Sequence, residues 1–175
     1  MSDVVSKEAT ITFVSKINNR ITADTRARVE LARCLGKRLP SQDEKIHEHV
    51  DPHLGNCSLW ERECYCMVAA LMAFHRQEFH GKSWEHFGIH AANLFKRTSY
   101  TTIRADINRI LRARNVAVLS NIAKVVRMCA SKDVAINYPC LLCDLLHWNH
   151  PSRYVQHKWN AEFEKTLRGE DSHEE

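Results

Sequence analysis

Apolar residues recur every third or fourth position along most of this chain, and no run alternates with period two for long enough to argue for a strand. That periodicity commits the sequence to packed helices. "YTTIRADINRILRARN" places Ile103, Ile107, Ile110 and Leu111 on one face, and "VAVLSNIAKVVRMCA" does the same with Leu119, Ile122, Val125 and Val126. "PSRYVQHKWNAEFEKTL" stacks Val155, Trp159, Phe163 and Leu167 every fourth residue. "CSLWERECYCMVAALMAFHRQEF" opens with a capping box, Ser58 with Glu61, and "NYPCLLCDLLHW" carries Pro139 in a first turn, where proline is tolerated. "ATITFVSKINNR" reads as a first short helix, "SQDEKIHEHVDPHL" as one capped by Ser41 and ending near Pro52, and "SWEHFGIHAANLFKR" as a looser one interrupted by Gly88. With only 5 glycines and 4 prolines, tight-turned sheet folds are disfavoured. The expected fold is all-α, with eight or nine helices. We divide it into an N-terminal segment 1–22, a helical domain 23–168 (lobes 23–95 and 96–168 if it splits), and an acidic tail 169–175 expected to be disordered.

A second feature bears on function. "DTRARVELARCLGKR", Asp24 to Arg38, holds five cationic side chains against two acids, yet it also has helical spacing. Ala27, Leu31, Cys34 and Leu35 share the face to be buried, Arg26, Arg33 and Lys37 share the opposite face, and Arg28 lies at the edge of the apolar stripe. Asp24 or Thr25 can cap the start. The pattern recurs from Lys96 to Lys132, where nine Lys or Arg meet a single acid, Asp106. Arg109 and Arg112 point away from the Ile/Leu face of one helix, and Lys124 and Arg127 sit a turn apart on the next. A solvated face usually mixes signs, whereas a phosphate backbone supplies the missing anions. No aromatics interleave with these cations, so base stacking is not indicated. Without the four acids of the tail, the net charge of +4 becomes about +8, which favours a polyanionic partner.

Seven cysteines, an odd number, with no signal peptide or apolar run of membrane length ahead of them, suggest a reduced, cytoplasmic protein. Cys140 and Cys143 have metal-type spacing, with His147 one turn on; Cys57, Cys64 and Cys66 follow His47, His49 and His53. A zinc site needs four converging ligands, and the first pair lies in an apolar helix where cysteine is an ordinary small buried residue. The expectation is no metal and no cofactor. There is no Gly-rich phosphate loop, no HExxH and no nucleophile elbow, so catalysis is not expected.

In order and spacing, these pieces resemble the small, CasB-type subunit of the type I-E CRISPR Cascade surveillance complex, from about Asp24 to Lys165. "RVELARCLG" is similar to that family's Arg-rich first helix, and "IRADINRILRA" to its "RRFxxLL" helix. "LSNIAKVVRMCASKDVAINYPCLLCDLLHW" and "VQHKWNAEFE" match its later Pro- and Trp-bearing stretches. Ala32 stands where the family often has arginine, Asn108 replaces an aromatic, and Glu164 follows Phe163 in place of another. Arg28 and Arg33 carry over from the first motif and Arg112 from the second. The resemblance implies a non-catalytic role. Two copies would lie along the assembly, against the subunits holding the guide RNA, and steady the target and displaced DNA strands once the duplex opens. It implies no membrane and no small-molecule substrate. A stand-alone helical regulator remains open as the alternative, with "NRILRARNVAVL" as a helix-turn-helix.

Overall fold

The computed structural model describes residues 6–36, 38–77, 83–99 and 101–169. Lys37 and the acidic tail beyond Gly169 lie outside them. Among the described residues there are nine α-helices and no strand. They are α1 (Lys7–Ala23), α2 (Thr25–Arg33), α3 (Glu44–Val50), α4 (Leu59–His75), α5 (Phe87–Thr98), α6 (Thr101–Arg112), α7 (Val116–Ser131), α8 (Tyr138–Leu146) and α9 (Tyr154–Arg168). Short 3-10 turns at Pro40–Gln42 and Asp51–His53 flank α3. No described helix is long and apolar enough to cross a membrane.

Helix α4 is the axis. Every residue from Cys66 to Ala73 is buried, as expected of a helix apolar on all sides, and α1, α2, α3, α7 and α8 pack around it. The capping box at its start is present, with Glu61 N–H donating to Ser58 and Ser58 N–H donating to Glu61. Asp24, and not Thr25, caps α2, accepting from the N–H groups of Arg26 and Ala27. The stripes read on α6, α7 and α9 all face inward, with Leu111 and Leu167 at their partly covered ends.

Three local expectations change. The first helix is longer than its apolar core suggested: Ser6 caps it, and Phe13, Val14, Ile17 and Ile21 enter the same hydrophobic cluster as α8 and α4. Asp43, not Ser41, caps α3. Pro40 starts a 3-10 turn that draws Ser41 into it, and the Ser41 hydroxyl donates to Glu63 of α4 instead. Gly88 does not interrupt α5 but lies inside its first turn. A Cβ there would come within 2.2 Å of the Trp159 carbonyl oxygen, so glycine lets α9 cross α5 backbone to backbone. Trp159 then packs its ring 5.0 Å from Phe87 and 4.9 Å from Trp148, closing this end of the core.

Candidate nucleic-acid interface

The cations read from the sequence separate into paired, tethered and free groups. On α2, Arg26 is 79% exposed in its side chain, but its Nε donates to Glu30 Oε1 at 2.9 Å, one turn along. Glu30 is therefore the interleaved acid of this row. Its other oxygen accepts from buried His49 at 2.9 Å. The hydrogen bond from Arg26, followed by that from His49, holds the Glu30 carboxyl down at about 2. Arg33, at the exposed end of α2, has no hydrogen-bond or ion-pair partner among the described residues. Arg28 does not join this face. It is half-buried in a separate cleft, beside Thr22, Met72, Arg76 and Gln77.

Between α6 and α7 the sole acid of the Lys96–Lys132 stretch is buried. Asp106 is 4% exposed. Its Oδ1 accepts from Arg109 Nη1 at 2.9 Å, and both its oxygens accept from Lys124 Nζ, at 2.7 and 2.8 Å. The side chains of Arg109 and Lys124 nevertheless remain 59% and 56% exposed. One carboxylate thus positions two accessible cations from different helices. Arg112 is exposed and has no hydrogen-bond or ion-pair partner among the described residues. Arg127 is a tether: its guanidinium donates to the Leu35 carbonyl and lies 5.9 Å from the Phe74 ring. Arg127, expected from the sequence to sit with Lys124 on a phosphate-facing row, is thus also bonded into the fold.

That tether joins the two rows. The turn following α2 forms the wall between two neighbouring clefts. One, of about 570 Å³, is lined by Gly36, Arg38 and Gln42 together with Ser120, Lys124 and Arg127 of α7. The other takes Arg33 and Lys45 on the far side of Gly36, Arg38 and Gln42. Arg33, Arg38, Lys45, Lys124 and Arg127 therefore flank one turn, with Asp43 and Glu44 the acids at its margin. Arg38 faces both clefts and was not singled out from the sequence. The signal was its membership of the Asp24–Arg38 cationic run, but its position beyond Gly36 took it off the α2 projection.

In the helix-turn-helix alternative, α7 is the reading helix. Its buried residues run from Val118 to Cys129, and the side chains exposed near its start are Val116, Ala117 and Ser120, with Asn115 exposed at the cap and Asn121 partly buried. The cysteines also fall differently from their spacing. Cys143 Sγ is 4.0 Å from His147 Nδ1, which donates to the Cys143 carbonyl, whereas Cys140 faces His86 and Asp144. Burial pushes the Cys143 thiol up to about 11 and those of Cys66 and Cys129 to about 12, so none is a ready thiolate nucleophile.

The family model for CRISPR-associated protein Cse2 matches residues 27–163. The chain belongs to the Cse2 family. Among solved structures, the fold is shared with a Cse2-family protein from Thermus thermophilus, at 22% identity and TM-score 0.77 over 89% of this chain and 97% of that one. It is also shared with CasB from M. ruber, at 23% identity and TM-score 0.75 over 95% and 97% of the two chains. A chain of a CRISPR RNA-guided surveillance complex captured before nicking superposes with TM-score 0.79, at 22% identity over 93% of this chain and 96% of that one. No curated protein matches the sequence. The Cse2 match covers most of α2 through most of α9, and so includes the second basic row, Arg33 of the first, and the turn that joins them.

Proposed function

We propose that this Cse2-family chain is the small, non-catalytic subunit of a type I-E CRISPR surveillance complex, and that it steadies the opened target duplex by contacting nucleic-acid backbone. The observation that carries this reading is the convergence of Arg33, Arg38, Lys124 and Arg127 on one turn, with Arg109 and Arg112 continuing the charge along α6. These groups offer charge without aromatic platforms or base-reading amides. That is the chemistry needed where the guide reads sequence and the protein supplies backbone contacts. R-loop formation exchanges one duplex for another of similar stability, so a few phosphate contacts decide how long the open state lasts. Its partners in this reading are the target and displaced strands, the guide-bearing subunits and a second copy of itself.

Single-stranded DNA binding, measured against salt, tests it. Neutralising about five phosphates gives a log–log slope of roughly −3.5, nearly independent of sequence. Arg33→Glu, Arg38→Glu and Arg112→Glu together flatten that slope, by about 0.7 per lost contact. In the assembled complex the triple variant shortens the lifetime of the opened duplex and leaves mismatch discrimination unchanged. Open DNA held as long by the variant as by wild type would show that these arginines are ordinary surface.

A further inference from the structure

Three potential metal ligands of different types, none of them part of the basic turn, converge where three helices meet. His86 precedes the first turn of α5, and Cys140 and Asp144 lie one turn apart on α8. All three are buried. His86 Nδ1 is 2.7 Å from Asp144 Oδ2 and 3.4 Å from Cys140 Sγ, and Cys140 Sγ is 3.9 Å from Asp144 Oδ2. The three ligand atoms lie within 4.8 Å of one another. A tetrahedral zinc ion with bonds of about 2.0–2.3 Å separates neighbouring ligand atoms by roughly 3.3–3.6 Å. The two contacts to sulfur are already close to that geometry, and the His86–Asp144 contact needs to open by about half an ångström.

Two further features fit. Trp159 of α9 donates its indole N–H to Asp144 Oδ2 at 2.6 Å, the kind of outer hydrogen bond that orients a ligating carboxylate. Glu162, one turn along α9, stands outside that 4.8 Å cluster, but its Oε2 is buried without a hydrogen-bond partner, and its charge is felt at His86, Asp144 and Cys140, so a change of its side-chain rotamer would bring it to the ion. Lys158 acts electrostatically on Cys140 and Glu162 from the same helix and offsets part of the negative charge.

We propose that His86, Cys140 and Asp144, with Glu162 as the fourth ligand, form a buried structural site for a zinc-type divalent cation that clamps α5, α8 and α9 together. The mixed nitrogen, sulfur and oxygen set suits zinc better than magnesium or calcium, which take oxygen ligands. On binding, Cys140 gives up its thiol proton to solvent and the thiolate takes the ion, so affinity rises with pH. The site lies apart from the spacing first noticed in the sequence, because Cys143 and His147 turn to each other rather than toward Cys140.

Cobalt(II) substitution of the full chain tests the proposal. Wild type treated with a strong chelator and then titrated with Co²⁺ shows a near-ultraviolet thiolate-to-cobalt band and tetrahedral visible bands, saturating at about one ion per chain. Zinc added to the same preparation raises the melting temperature. Cys140→Ser abolishes the thiolate band, Glu162→Gln weakens Co²⁺ binding by roughly tenfold or more, and Cys143→Ser changes neither. If chelator-treated wild type, still folded by circular dichroism, gives no thiolate band and no zinc-dependent rise in melting temperature, the cluster is a polar latch and the proposal fails. A band that persists in Cys140→Ser and vanishes in Cys143→Ser also overturns it.

Discussion

On α2 the acid that offsets the arginines sits on the helix's own surface, four residues from Arg26; between α6 and α7 it is buried beneath the cations it holds. Glu30 takes Arg26 along one helix and turns its second oxygen inward to His49. Asp106 takes Arg109 from its own helix and Lys124 from the next. The first arrangement spends a negative charge on one cation. The second sets one negative charge against two, leaving net positive charge fixed in place with more than half of each cationic side chain in water. Cations held in position lose less side-chain freedom when they meet a phosphate, so the α6–α7 ridge is the better pre-organised half of the proposed track.

The sharpest way to break this comparison is to remove Asp106. Asp106→Ala leaves Arg109 and Lys124 repelling each other across two helices and should cost about 2–3 kcal/mol in chemical denaturation. That is below the figure for a wholly buried pair, because both cations regain water. A double-mutant cycle with Lys124→Ala should return a coupling above ~1 kcal/mol. A loss under ~0.5 kcal/mol would show that Asp106 is not what organises the ridge.

Next in size is the contrast within the ridge. Arg127→Glu removes the donor to the Leu35 carbonyl and the contact with Phe74, and should cost about 1–2 kcal/mol. Arg112→Glu, with no described partner, should stay within ~0.5 kcal/mol. Equal losses would erase the distinction between tether and free cation. The pair also separates stability from binding: Arg112→Glu should flatten the salt dependence of DNA binding by about 0.7 while melting as wild type does.

The distinction between paired, tethered and free cations is what the sequence could not supply. The helices themselves were legible. α6, α7 and α9 each expose one face and bury the other, and a 3.6-residue period needs no tertiary information. The Ser58–Glu61 box was legible, and the α2 cap was narrowed to Asp24 or Thr25, because capping is local. Gly88 was not, since its reason is the Trp159 backbone of a helix far along the chain. Nor was Asp43 as a cap, because Pro40 claims Ser41 first. At the basic surface, the charge of each row was visible, and Asp106 stood out as the lone acid of its stretch. Its burial, and Lys124's reach to it across 18 positions, depend on how α6 packs against α7. Arg127's bond to Leu35 spans 92 positions, and Arg38's place between two clefts follows from that closure. Projection onto a single helix finds which side is wet; it does not find which cations already have a partner.

The smallest effect expected is at Arg26, and it distinguishes the two rows most finely. Because Arg26 and then His49 hold the Glu30 carboxyl at about 2, against an ordinary value of 4.5, the acid is ionised throughout the neutral range. With the folded value below the unfolded one, the stabilisation from this pair is complete above about pH 4.5 and drains away as pH falls through about 2. At neutral pH, then, a phosphate approaching Arg26 must compete with Glu30. Arg26→Ala should change the salt slope of DNA binding by well under the ~0.7 of a full phosphate contact. Glu30→Gln keeps a hydrogen-bonding group beside His49 but frees the guanidinium, and should strengthen binding and steepen the slope by up to ~0.7. A carboxyl titration of Glu30 followed by nuclear magnetic resonance gives the independent check. If its midpoint lies near 4.5, Arg26 is not captured, and Arg26→Ala should then flatten the slope as much as Arg112→Glu does. The two rows would in that case be one surface with the same freedom along its whole length.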